Sequence, residues 1–138
     1  MKITRKKLGK TSKIQNIMLT FPQQQEFFES LKSKVSPDKK LMIAVSGGSD
    51  SILTASLMYN LFLKKKYNLQ NLFFIHCNHN VRKGNVSDEA FIRDFFEDTQ
   101  LIITKRLTDK KSTEAELRKW RYEEFKKYAK IHAIDYIV

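Results

Sequence analysis

The sequence predicts an α/β fold in which a parallel sheet is covered by helices on both faces. Short, continuous apolar runs alternate along the chain with longer segments whose apolar residues recur at helical spacing. The apolar runs lack the alternating polar residues of a half-exposed strand, which is typical of strands buried on both faces. Polar loops separate the two kinds of segment, so the predicted order is β-α-β-α-β-α-β, without an internal repeat.

The first two strands and the helix between them are the clearest elements. Residues 41–45 (LMIAV) predict a buried strand, and residues 52–63 carry apolar side chains at helical spacing. This helix ends in lysines 64–66, whose cations stabilise the negative end of a helix dipole. Residues 71–78 (NLFFIHCN) predict a second buried strand.

The same alternation continues to the end of the sequence. Residues 87–89 (SDE) predict the start of a helix, because serine caps and first-turn acids favour one, and this helix is expected to reach about Thr99. A third strand is predicted at 101–107 and a long helix at 113–133. Residues 135–138 (DYIV) begin a fourth strand. We therefore expect a Rossmann-like sheet that is incomplete at its C-terminus.

The segment before the sheet differs in composition. Residues 1–38 are interpreted as a basic N-terminal tail followed by a short amphipathic helix, and residues 39–138 as the α/β domain. The first 25 residues contain no acid, which is compatible with a transit peptide and equally with a plain basic tail. The short helix is predicted from apolar residues at helical spacing after Pro22: Phe27, Phe28, Leu31 and Val35.

Composition limits the function classes. The net charge of +11 and the pI near 9.8 favour a polyanionic partner, nucleic acid before an anionic membrane surface, or else a solvated lysine-rich surface. No run approaches the roughly 20 apolar residues of a membrane span, and the single cysteine, Cys77, excludes an internal disulfide.

Abundant Lys, Asn, Ile and Phe are typical of AT-rich coding. We therefore expect a plastid (chloroplast stroma) protein if it is organelle-encoded, and a bacterial cytoplasmic protein otherwise.

The motif with the most chemical content is SGGSDS, residues 46–51, between the first strand and its helix. In doubly wound sheets, ligands bind beyond the carboxyl ends of the strands. Gly47 and Gly48 let backbone N–H groups approach an anion, and the following helix adds its positive end. Hydroxyl donors would come from Ser46, Ser49 and Ser51. The spacing is neither that of a Walker A loop nor that of a dinucleotide fingerprint, so the loop predicts a phosphate site of another kind.

Asp50 is the unusual member of this loop. A carboxylate in a phosphate site repels the ligand unless a metal ion such as Mg²⁺ bridges the two. The structural alternative is that Asp50 merely caps the helix, at the N-cap or in the first turn, and the glycines only turn the chain.

In this strand–loop–helix context, SGGSDS resembles the PP-loop of the ATP pyrophosphatases. Two later segments narrow the resemblance to the N-terminal catalytic domain of the tRNA(Ile)-lysidine synthase family, over about residues 39–138. After the second strand the matching residues are His79, Arg82, Ser87 and Phe91, whereas Asn78 and Asn80 replace the usual Asp and Gly. In STEAELRKWRYEEF the matching residues are Glu114, Arg118, Arg121 and Tyr122, whereas Leu117 replaces an Ala.

The resemblance implies an ATP-dependent ligation. ATP would adenylate the C2 oxygen of the wobble cytidine in a tRNA(Ile) with a CAU anticodon, and L-lysine would then displace AMP to give lysidine. The resemblance implies ATP and Mg²⁺ as cofactors, Asp50 and Arg118 as catalytic residues, and Asp50 as the metal-binding residue. The implied ATP-binding residues are Ser46, Gly47, Gly48, Ser49, Asp50, Ser51, His76 and Asn78.

Several alternatives stay open. The family carries a further motif after its fourth strand, so we interpret the chain as a truncated fragment whose missing C-terminal half a second chain could supply. It could also be an inactive remnant that only binds ATP or RNA, or another PP-loop tRNA-modifying enzyme. Single residues have structural alternatives as well: Cys77 and Trp120 in the core, His76 as a satisfied strand residue, and Arg118 and Arg121 on a solvated helix face.

Overall fold

In the computed structural model of the chain, the described residues are 13–16, 26, 29–30, 36–46, 48–64, 67–80, 84–108 and 110–138. Within them, strands and helices alternate in the order β1 (Leu41–Ala44), α1 (Ser49–Lys64), β2 (Leu72–Asn78), α2 (Gly84–Phe95), β3 (Gln100–Lys105), α3 (Glu114–Ile131) and β4 (Tyr136–Ile137). Short 3-10 helices lie at Lys13–Asn16 and Leu69–Asn71.

The strands form a parallel sheet in the order β3-β2-β1-β4. β1 pairs with β2 on one side, where Ala44 lies opposite Ile75, and with β4 on the other, where Leu41 lies opposite Tyr136. The chain therefore steps outward from β1 to β3 and then returns to the opposite side of β1. This reversal is the topological switch point at which doubly wound sheets bind ligands. The predicted α/β class with a Rossmann-like sheet is confirmed.

One face of the sheet packs against α1 and α2. The strands contribute Leu41, Ile43, Leu72 and Phe74, all buried. The α1 side chains that complete this core recur at the predicted helical spacing: Ile52, Ala55, Met58, Tyr59 and Phe62. α2 adds Ile92 and Phe95, and Phe96 just after the helix places its ring 4.8 Å from that of Phe74.

The opposite face packs against α3. Met42, Phe73 and Ile75 form its buried centre, and partly buried side chains from α3 and the segment after it cover them: Phe125, Tyr128, Ala129 and Ile134. α3 begins with a capping box, in which the Glu116 backbone N–H donates to Thr113 Oγ1 (3.1 Å) and the Thr113 N–H donates to Glu116 Oε1 (2.8 Å). This start places the first turns of α3 at the carboxyl edge of the sheet.

The boundaries of α2 differ from those predicted. The helix begins at Gly84, before the expected serine, and ends at Phe95 rather than near Thr99. The early end has a local cause, because the Phe96 carbonyl accepts hydrogen bonds from the backbone N–H (3.2 Å) and the hydroxyl (2.7 Å) of Thr99. Asp98 between them has a left-handed backbone with φ of 68°.

Part of the predicted N-terminal tail packs in the core. Ile14 is fully buried against the α1 face of the sheet, and its carbonyl accepts a hydrogen bond from the buried hydroxyl of Ser56 in α1. Of the predicted amphipathic helix, Glu26, Glu29 and Ser30 are helical and exposed, while its apolar residues lie outside the described residues. Among the described helices, none is long and apolar enough to cross a membrane.

Candidate nucleotide-binding site

The site begins at the peptide that joins Val45 to Ser46, directly after β1. The Val45 N–H donates to the Ile75 carbonyl (2.9 Å), which extends the β1–β2 ladder by one bond. The Val45 carbonyl accepts from Nδ1 of His76 (3.0 Å), and the N–H of Ser46 donates to Ser51 Oγ (2.9 Å). Because a carbonyl only accepts, Nδ1 of His76 carries a hydrogen. One peptide unit is therefore held at both of its polar ends.

The hydroxyls of Ser46 and Ser51 form the centre of the loop. Their oxygens lie 3.1 Å apart, and Ser46 Oγ accepts from the N–H of Gly48 (3.2 Å). Ser51 Oγ also lies 3.1 Å from the Ser46 carbonyl and 3.3 Å from that of Gly48, although its single hydrogen serves only one acceptor at a time. The two hydroxyls thus stabilise the loop by bonding to each other and to backbone groups of Ser46 and Gly48. Gly47 and the side chain of Ser49 lie outside the described residues.

Gly48 occupies the N-cap position of α1, since its carbonyl accepts the first helical bond from Ile52 (3.3 Å). A Cβ added at Gly48 would meet Ser46 Oγ at 3.4 Å, an ordinary contact. The fold without a ligand therefore accommodates alanine here. The turn itself does not require a glycine at this position.

Asp50 lies in the first turn of α1, and its side chain is exposed. Its backbone carbonyl accepts from Thr54 Oγ1 (3.0 Å), but no described residue donates a hydrogen bond to its carboxylate. Asp50 is therefore not the N-cap of α1, but its first-turn position is one that the structural alternative allows. Its negative charge stabilises the helix only through the dipole, and the carboxylate faces solvent beside the loop.

His76 and Asn78, at the carboxyl end of β2, are both buried. Both polar atoms of the Asn78 side chain are hydrogen-bonded: Nδ2 donates to Glu89 Oε1 (3.1 Å), and Oδ1 accepts from the N–H of Asn80 (2.9 Å). The Asn78 bond and the nearby Arg93 lower the pKa of Glu89, so its carboxylate stays charged. The predicted contact of His76 and Asn78 with ATP stays a prediction, since both side chains serve internal hydrogen bonds here.

The two arginines of α3 have different surroundings. Arg118 lies on the exposed side of the helix, in an open groove beside Lys119 and Tyr122, without a polar partner among the described residues. Arg121 lies nearer the sheet, where NH1 donates to His79 Nε2 (3.1 Å) and NH2 lies 3.5 Å from Glu114 Oε1. No described contact joins Arg118 to residues 46–51, so its predicted catalytic role remains a prediction.

His79 follows β2 on the α3 side of the sheet. Its ring lies 5.7 Å from that of Trp120 in an edge-to-face arrangement, and its backbone carbonyl accepts from Nε of Arg106 (2.9 Å). Desolvation lowers the pKa of His79, and the neighbouring Arg121 lowers it further. The imidazole is thus held neutral, with Nε2 as the acceptor and the hydrogen on Nδ1.

Comparison with known proteins identifies the family. A family model described as a PP-loop domain matches residues 19–138. The chain belongs to the PP-loop domain family. Residues 46–51, which resemble a PP-loop, lie within the matched range, and we call them the PP-loop below.

Curated relatives named tRNA(Ile)-lysidine synthase are similar over most of the chain. The protein of Persephonella marina is 29% identical over 122 residues, 81% of this chain and 26% of the relative. The protein of Nostoc sp. is 29% identical over 102 residues, which cover 73% of this chain and 29% of the relative. The protein of Treponema denticola is 32% identical over 123 residues, which cover 80% of this chain and 26% of the relative. The predicted resemblance is confirmed, and the chain spans about a quarter of the length of these relatives.

The PP-loop stands at the topological switch point of the sheet. It leaves the carboxyl end of β1, and on the β4 side Val138 donates to the Met42 carbonyl (2.9 Å) while its own carbonyl accepts from Ala44 (3.3 Å). Asp50 fits a role in holding Mg²⁺, because that ion is usually bound by one or two carboxylates together with phosphate oxygens and water. Among the described residues no cluster of three or more His, Cys, Asp or Glu forms a metal site of its own.

Arg106 has a structural role that the sequence did not single out, because it stands in an apolar run predicted as strand. Its guanidinium joins the segments after β2 and β3 by donating to the His79 carbonyl, Ser112 Oγ (2.8 Å) and the Lys110 carbonyl. Cys77 is partly buried and packs against the core on the α3 side of the sheet, and burial raises the pKa of its thiol to about 12. The protonated thiol is a poor nucleophile.

Proposed function

We propose that this chain supplies the ATP-binding part of an enzyme that modifies tRNA, and that the PP-loop holds the phosphates of ATP. The observation that carries this proposal is the position of residues 46–51, between the carboxyl end of β1 and the N-terminus of α1 at the switch point. Both the backbone N–H groups of the loop and the helix dipole favour an anion at this place. The named function of the curated relatives supports the tRNA substrate.

The proposed reaction is lysidine formation at the wobble cytidine of tRNA(Ile). The C2 oxygen of the cytidine attacks the α-phosphate of ATP, and pyrophosphate leaves with the β and γ phosphates. The ε-amine of lysine then attacks C2, and AMP departs with the former C2 oxygen. An amide-like oxygen needs this activation because it is otherwise a poor leaving group.

The chain's own residues have separate parts in this proposal. Backbone N–H groups of the loop and the hydroxyls of Ser46 and Ser51 bind the pyrophosphate portion, after the internal bonds between them open. Mg²⁺, held by Asp50, would offset the repulsion between that carboxylate and the phosphates. The guanidinium of Arg118 is exposed and has no polar partner among the described residues. It would neutralise charge on the phosphates if a movement of α3 or the position of the ligand brings the two together.

The overall charge fits an RNA partner. The chain has 26 basic and 15 acidic residues, which gives a net charge of +11. A positive charge of this size attracts the phosphate backbone of RNA, and the attraction weakens as the salt concentration rises. A plastid stroma or a bacterial cytoplasm as the location of the protein, and a second chain that completes the site, are further parts of the proposal.

The test measures AMP release from ATP in the presence of tRNA(Ile) and lysine, with omission of each as the control. The matched variants are Asp50→Asn in the loop and Asp38→Asn, which lies before β1 at the opposite edge of the sheet. We expect AMP release that needs both tRNA and lysine, by the chain alone or with a second chain that carries the other residues of the family. Asp50→Asn should remove it and Asp38→Asn should not. ATP binding without AMP release under either condition would restrict the function to binding, and no ATP binding would contradict the proposal.

A further inference from the structure

We propose that His76 is a positioning residue for the PP-loop, which acts through the peptide between Val45 and Ser46 and does not contact the nucleotide. The inference rests on the proposed function for its effect on ATP, but its structural part stands without any ligand. It differs from the role that the sequence resemblance implies, in which His76 lies against the adenosine.

His76 is buried in the sheet rather than exposed to a ligand. The side chain is only 6% exposed, so it has almost no surface to offer another molecule. It stands on β2 beside the end of β1, and its Nδ1–H has one fixed acceptor, the Val45 carbonyl at 3.0 Å. A buried imidazole with this bond serves to hold the backbone of the neighbouring strand.

The opposite end of the same peptide is also held. The Ser46 N–H donates to Ser51 Oγ at 2.9 Å, and Ser51 belongs to the first turn of α1. The peptide plane is thus fixed between β2 on its carbonyl side and α1 on its N–H side. A rotation of this plane would break both hydrogen bonds at once.

The orientation of this peptide matters for an anion. The N–H of Ser46 points toward the interior of the loop, where the hydroxyls of Ser46 and Ser51 meet. If the plane turned over, the Val45 carbonyl oxygen would take that direction and its partial negative charge would repel a phosphate. His76 therefore keeps a carbonyl dipole out of the loop and leaves the N–H groups and hydroxyls to face the ligand.

The experiment begins with the unaltered chain and no nucleotide. Long-range proton–nitrogen NMR of the imidazole should show the hydrogen of His76 on Nδ1, as the bond to Val45 requires. A neutral ring with the hydrogen only on Nε2 would overturn the proposal. This measurement needs no variant, so it holds even if a substitution at a buried position prevents folding.

Variants then test the effect on the loop. His76→Asn keeps an N–H donor at the place of Nδ1, His76→Leu removes it, and Cys77→Ala alters the neighbouring β2 residue on the opposite face of the sheet. Amide hydrogen exchange at Ser46 and Gly48, measured without nucleotide, should become about tenfold faster in His76→Leu, the equivalent of one ordinary hydrogen bond. It should stay near the parent rate in His76→Asn and in Cys77→Ala.

Titration with ATP and with pyrophosphate completes the test. Affinity for both should fall about tenfold in His76→Leu and recover in His76→Asn, because the asparagine restores the donor. Equal exchange rates and equal affinities in the leucine and asparagine variants would overturn the positioning role. If neither the parent nor any variant binds ATP but the exchange rates change as expected, the proposed function fails and the positioning role stands.

Discussion

The guanidinium of Arg121 donates to Nε2 of His79 across 3.1 Å, and this bond joins α3 to the segment that follows β2. The bond needs an unprotonated Nε2, because an imidazolium has no lone pair to accept with. Burial and the adjacent Arg121 lower the pKa of His79 accordingly, only partly opposed by Glu114. The docking of α3 is thus linked to the protonation state of one histidine.

This link predicts a pH dependence of stability. Unfolded His79 has a pKa near 6.5, and the folded value is lower, so the unfolded state binds more protons between the two values. Its contribution to the free energy of unfolding is therefore fully present above about pH 6.5 and is lost as the pH falls toward the folded pKa. Chemical unfolding of the parent and of His79→Gln, which keeps an acceptor but does not titrate, measures this effect.

We expect the difference in the free energy of unfolding between the parent and His79→Gln to stay constant above about pH 7. As the pH falls below about 7, the parent should lose more stability than His79→Gln, because only the parent takes up a proton at this position. Parallel pH profiles for the two proteins would contradict the link.

Gly48→Ala tests separately how this glycine affects the stability of the fold and the affinity for ATP. Because a Cβ at Gly48 meets only Ser46 Oγ at 3.4 Å, we expect a loss of no more than about 1 kcal/mol in the free energy of unfolding, typical of alanine at an N-cap. ATP affinity should fall by about tenfold or more, since the methyl group occupies the space that a phosphate would approach. Calorimetric titration and thermal unfolding of the same sample test both statements; a stable variant with unchanged ATP affinity would contradict them.

The two α3 arginines should respond differently to substitution. Arg118→Gln should leave stability within about 0.5 kcal/mol of the parent, because the side chain is exposed and has no polar partner among the described residues. Arg121→Gln should cost about 1 kcal/mol, because it removes the bond to His79 and weakens the contact with Glu114. Urea unfolding of both variants measures the difference.

The comparison of ATP affinities then decides the role of Arg118. A lower affinity in Arg118→Gln, at unchanged stability, is the result that its proposed role at the phosphates requires. An unchanged affinity would assign this residue to the solvated face of α3.

Cys77 should be unreactive in the folded protein. With a pKa of about 12, the thiol carries almost no thiolate at pH 8, whereas a free cysteine with a pKa near 8.5 carries a sizeable fraction. A chromogenic disulfide reagent should therefore label the native chain about a hundredfold more slowly than the chain unfolded in urea. Equal labelling rates in the two states would contradict the shielded position of Cys77.

Much of the fold could be predicted because its signals are local. The continuous apolar runs of β1 and β2 and the helical spacing in α1 each indicate an element without reference to the rest of the chain. The loop at 46–51 could likewise be recognised, because its glycines and serines stand directly between a strand and a helix.

The parts that could not be predicted depend on distant residues. Ile14 reaches the core from a basic segment whose own pattern is uninformative. Arg106 bridges two loops that only the sheet brings together. The bond from His76 to the Val45 carbonyl exists only because β1 and β2 are neighbours in register. Spacing alone also does not tell which α3 arginine lies near the sheet, where the structure places Arg121.

The proposed function depends above all on residues 46–51 binding the phosphates of ATP, and an ATP titration followed by backbone amide NMR measures this binding residue by residue. We expect saturable shifts at Ser46, Gly48 and Ser51 and in the first turn of α1. Pyrophosphate should reproduce them, and Asp50→Asn should weaken them. Saturable binding of ATP that leaves these amides unshifted, or no saturable binding at millimolar ATP, would contradict the assignment of the loop.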